Sequence, residues 1–134
     1  MTNWTWMGVA ALVVGLAACD DAVTGELRLT TAVPTAGATA HATLWEYDPQ
    51  LADGSATALA QFARPDLPAG IQAITFTLAP GDGDGGLRHY VTGWVDVDSD
   101  GVDEVGDFVV TGFNQTELGQ GGLIVTLAPR AATP

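Results

Sequence analysis

From Glu26 onward the chain alternates apolar and polar residues with a period of two, so successive side chains fall on opposite faces of an extended backbone. Leu27 and Leu29 share one side against Glu26, Arg28 and Thr30. Ala40, Ala42 and Leu44 stand against His41, Thr43 and Trp45 in the same way. The pattern returns at Ile74, Phe76 and Leu78, and again at Val91, Gly93, Val95 and Val97, which alternate with Tyr90, Thr92, Trp94 and Asp96. Two further apolar stretches run over Phe108 to Phe113 and Leu123 to Leu127. The segment Ala56 to Ala63 suits a weak strand or a short alanine-rich helix, and Pro65 and Pro68 are expected to end it. Counting it gives seven short strands separated by Gly, Pro and Asp. The expectation is an all-β, seven-stranded antiparallel two-sheet sandwich of immunoglobulin or transthyretin type. Tyr90, near the start of its strand, is placed either as a tyrosine corner or as an aromatic on the sheet face.

The front of the chain obeys a different rule. Met7 to Ala18 is a continuous apolar run, shorter than the roughly 20 residues that span a bilayer. It reads as the core of a signal peptide over residues 1–18, although the preceding stretch carries no Lys or Arg. The run ends in Leu16-Ala17-Ala18-Cys19, which resembles the lipobox of bacterial lipoproteins. Cys19 is the one cysteine of the chain, so it has no intramolecular disulfide partner; acylation would explain it, a buried core thiol being the alternative. The expected organisation is a lipidated tether over 19–24, a β-sandwich domain over 25–129 and a tail over 130–134, lipid-anchored to a bacterial membrane and facing the periplasm or exterior.

Charge narrows the range of partners. The chain carries 16 acidic against 4 basic residues, a formal net charge of −12, and no lysine. Such a surface repels phosphate backbones, which argues against nucleic acid and for cations. Half of the carboxylates lie between Asp82 and Asp107, so the charge is local.

The densest part of that region has a spacing with chemical meaning. Asp96, Asp98, Asp100, Glu104 and Asp107 occupy the first, third, fifth, ninth and twelfth places of one twelve-residue segment. Calcium takes six to eight oxygen ligands at about 2.3 to 2.6 Å, and a glycine at the sixth place lets the chain turn around the ion. Gly101 stands there, and the Val102 carbonyl follows as the backbone ligand. The segment resembles an EF-hand or thrombospondin type 3 calcium loop, except that its flanks read as strands and its last acid is Asp107 instead of a glutamate. Asp96, Asp98, Asp100, Val102, Glu104 and Asp107 are therefore the expected Ca²⁺ ligands. The alternative is a solvated hairpin tip turning at Asp100-Gly101. Asp82 and Asp84 would add ligands from a neighbouring loop or belong to a Gly-Asp linker.

Elsewhere the sequence offers no catalytic constellation. His41 and His89 lack the spacing of a zinc site, and Ser55 and Ser99 are the only serines, neither in a nucleophile elbow. A non-enzymatic binding or structural module without an evident small-molecule substrate is expected. Gly25-Glu26-Leu27-Arg28-Leu29, Pro34, Ala38-Thr39-Ala40-His41-Ala42-Thr43-Leu44, Ile74-Thr75-Phe76-Thr77-Leu78 and Tyr90-Val91 together resemble the YbaY/YscW family of small lipoproteins. That family is named for pilotins of type III secretion, lipid-anchored β-sandwiches that assist assembly of an outer-membrane ring. The resemblance covers about Gly25 to Pro129 and implies, as the alternative function, a pilotin-like assembly factor with a protein partner in the envelope. The acidic loop departs from that pattern.

Overall fold

The computed structural model describes residues 21–50, 55–81 and 87–131. Cys19, the apolar run before it, and Asp82 and Asp84 lie outside the described residues. The strands are β1 (Val23–Leu29), β2 (Ala38–Tyr47), β3 (Thr57–Leu67), β4 (Ala73–Leu78), β5 (Arg88–Asp96), β6 (Phe108–Val110), β7 (Asn114–Thr116) and β8 (Leu123–Pro129). None of the described residues is helical. β1 starts at Val23, inside the stretch expected to be tether, because Val23 is itself fully buried.

Alternation placed the inward face correctly. Leu27, Leu29, Ala40, Ala42, Leu44, Ile74, Phe76, Leu78, Val91, Val95, Val125 and Leu127 all enter one apolar core. Each large aliphatic side chain buried there contributes about 1.5 to 3 kcal/mol.

The arrangement of strands differs from the expectation. Among the described residues there are eight instead of seven, and they form one mixed sheet in the order β3-β2-β5-β6-β8-β1-β4, with β7 paired to β5. The sheet coils into a near-barrel: its two ends approach where Phe62 of β3 meets Phe76 of β4 at 6.5 Å between ring centroids. A two-sheet sandwich of immunoglobulin type is not what forms. The decisive pair is β1 with β8, which run parallel from Gly25↔Leu123 to Leu29↔Leu127. A period of two fixes which face is buried in sandwich and barrel alike, and says nothing of the direction of the neighbouring strand.

Two irregularities shape the outer surface. β3 continues past Pro65 to Leu67, because the single residue Thr39 of β2 lies opposite both Pro65 and Asp66. Such a bulge on an edge strand accommodates a residue with no N–H to donate, and Asp66 takes a positive φ of 56° there. The stretch expected as one strand over Phe108 to Phe113 is a strand only as far as Val110, in β6, and β7 begins beyond it at Asn114. Both pair with β5, and between their ladders Thr92 and Gly93 face the four residues from Val110 to Phe113. The excess pushes Phe113 outward, where it is 63% exposed.

Candidate functional site

The acidic segment is the connection between the antiparallel strands β5 and β6, as the strand-like flanks required. Its carboxylates converge through a turn. β5 ends at Asp96; Ser99 takes φ 57° and donates its N–H to the Asp96 carbonyl at 3.3 Å, and Gly101 takes φ 80°. Strand alternation, which would align Asp96, Asp98 and Asp100 on one extended face, is therefore not what gathers them.

The six expected residues take different positions. Asp96 and Asp107 are buried at 1% exposure each, whereas Asp98, Asp100, Val102 and Glu104 are exposed. Asp107 holds the neck of the loop, one carboxylate oxygen accepting the Val97 N–H at 2.8 Å and the other the Glu104 N–H at 3.0 Å. Asp96 Oδ2 accepts the Gly101 N–H at 2.6 Å. Asp100 accepts the Val102 N–H at 2.9 Å, so Val102 contributes its amide to the local scaffold. One oxygen each from Asp96, Asp98 and Asp107 lies within 4.8 Å of the others, and the same holds for Asp98, Asp100 and Glu104. Asp98 belongs to both groups.

Crowding of like charges perturbs their protonation. The Asp100 and Asp98 carboxylates, within hydrogen-bonding reach of Glu104, push it up to about 7. Partial desolvation raises Asp98, and the Asp96 and Asp100 carboxylates add to it. Asp100 is lowered, chiefly by the N–H of Val102. An offsetting cation comes from outside the loop: Arg130 pairs with Asp103 at 3.2 Å, both half-exposed, and its backbone N–H donates to the Asp107 carbonyl at 2.7 Å. Ser99 fixes the loop laterally, its hydroxyl lying 2.6 Å from the Gly37 carbonyl and 2.8 Å from Thr39 Oγ1.

The histidines are apart. His41 stacks on Trp94 on the outer face at 4.8 Å, whereas His89 is buried against Glu46 at 3.1 Å. That pairing was not legible from the lone histidine; only the register His89↔Glu46 reveals it. Tyr90 lies on the outer sheet face among Trp45, Tyr47 and Phe113, with ring centroids 5.1 to 6.2 Å away. Trp45 is anchored by its indole N–H donating to Thr92 Oγ1 at 2.7 Å. This aromatic face, made by the ends of β2 and β5 and the β6–β7 bulge, was not anticipated. Its signal was the alternation of Trp45 and Tyr47 on β2 with the isolated Phe113.

No protein-family model matches the chain, and no curated protein matches it. Among solved structures it is similar to an alternative pilotin from the type II secretion system of Vibrio cholerae. The likeness covers 83% of this chain and 97% of that one, with a TM-score of 0.58 and 18% sequence identity. At that identity the likeness establishes a shared fold: the chain has a pilotin-like architecture.

Proposed function

We propose that this protein is a pilotin-like assembly factor of a bacterial cell envelope, a non-enzymatic module that engages a protein of a secretion apparatus. The observation that carries the reading is the extent of the structural likeness, which takes in nearly the whole of the Vibrio cholerae pilotin. The exposed ring of Phe113, packed against the half-buried rings of Tyr47 and Tyr90, suits a client segment, since aromatic side chains offer large contact area at low entropic cost. Acylation at Cys19 would hold the module on the membrane, and the chain enters the barrel at Val23. Asp96 lies opposite Thr39 at the start of β2, next to the C-terminal end of β1, so the acidic loop occupies the pole remote from that entry.

The test is deletion of the gene in its own host, followed by measurement of assembled outer-membrane ring multimers and of secreted substrates. The reading expects both to fall and to be restored by the wild-type gene. Unchanged ring assembly and secretion would overturn it.

A further inference from the structure

Asp96 presents a physical problem that hydrogen bonding within the protein does not solve. Its Oδ2 is satisfied by Gly101, but its Oδ1 is buried with no hydrogen-bond donor among the described residues. An ionised carboxylate oxygen taken out of water without a partner is strongly disfavoured. What surrounds it makes matters worse, because an oxygen of Asp98 and one of Asp107 lie within 4.8 Å of an Asp96 oxygen, and ionised carboxylates only accept. A positive charge is the missing complement.

The donor set selects the ion. All the side chains are carboxylates, which favour hard cations over zinc or copper. Oxygens bound to one Ca²⁺ at about 2.4 Å can be no more than about 4.8 Å apart, the limit that both groups meet. Mg²⁺ requires a tighter octahedron and gives up its waters reluctantly. We propose that the loop from Asp96 to Asp107 is a Ca²⁺ site, in which Asp96 and Asp107 supply the buried side and Asp98, Asp100 and Glu104 close it towards solvent. Binding there fastens the β5–β6 connection to the β1–β2 connection through Ser99, and so orders one pole of the barrel.

Calorimetric titration of the full-length chain with CaCl2, and with MgCl2 at matched ionic strength, tests this directly. The expected result is one Ca²⁺ per chain with a dissociation constant of about 10⁻⁴ to 10⁻³ M, and Mg²⁺ at least about tenfold weaker. Asp96→Asn alters a buried group and could disturb folding, so the exposed variants Asp98→Asn and Glu104→Gln decide the matter. Each should weaken calcium binding at least about tenfold while the melting temperature in chelator stays the same or rises, since each removes one of the crowded negative charges. Absence of binding at 10-fold excess over about 1 mM Ca²⁺, equal binding of Mg²⁺, or wild-type affinity in both exposed variants would each overturn the site.

Discussion

Gly25 and Leu123 face each other across the parallel β1–β8 ladder so closely that a Cβ on Gly25 would overlap the Leu123 carbonyl oxygen. The obstacle is backbone, which cannot swing aside as a side chain tip would. Gly25→Ala should therefore force the two strands apart and destabilise the protein by about 1 to 3 kcal/mol. Thermal unfolding should register this as a fall of at least several degrees. An unchanged melting temperature would mean that the two strands do not meet in this register.

Protonation of the acidic loop gives a second expectation, for the protein in chelator. Glu104 is raised from an ordinary 4.5 to about 7, so the folded state holds its proton more tightly than the unfolded chain does. A carboxyl shifted in that direction makes the folded state most favoured below pH 4.5, and the contribution is lost as pH rises through about 7. The groups facing Glu104 are Asp98 and Asp100, with Asp96 behind them and the Arg130–Asp103 pair alongside. The melting temperature should be higher at pH 5.5 than at pH 8, and Glu104→Gln should shrink that difference, as should added NaCl. A profile that Glu104→Gln leaves unaltered would assign the effect to other carboxylates.

Phe113 separates folding from recognition. Its ring is mostly in water, so Phe113→Ala should change stability by no more than about 0.5 kcal/mol. Ring assembly in the complemented deletion strain should nevertheless fall if the aromatic face receives the client. Full complementation by Phe113→Ala together with Tyr47→Ala would move the client elsewhere on the surface.

The anchor is testable apart from the fold. Cys19→Ser should abolish incorporation of a fatty acid analogue while the barrel, which begins at Val23, still assembles. Equal labelling of the wild type and the variant would remove lipidation from the account.

Much of the barrel was readable one strand at a time. Leu27, Leu44 and Ile74 declare their inward face because every second residue along each strand is apolar. What no strand declares is its neighbour. The parallel contact of β1 with β8 and the extra strand β7 depend on which edges meet after coiling, and side-chain alternation does not encode edges. The acidic spacing from Asp96 to Asp107 was likewise visible, but the sequence did not distinguish its members. Burial of Asp96 and Asp107, and the use of both Asp107 oxygens to tie the neck, follow from the turn at Ser99 and Gly101.

Pairing β1 with β8 also sets the order in which this protein can be completed. During synthesis the first strand can find β4 early, but its other edge stays open until Leu123 to Pro129 have been made. That closing contact joins segments separated by most of the chain, the kind of pairing that folds slowly. An open edge on a half-made sheet also invites pairing with other chains. Until its last strand is in place, then, this chain carries a vacant seam along β1, and the fold is sealed by its end rather than seeded by its beginning.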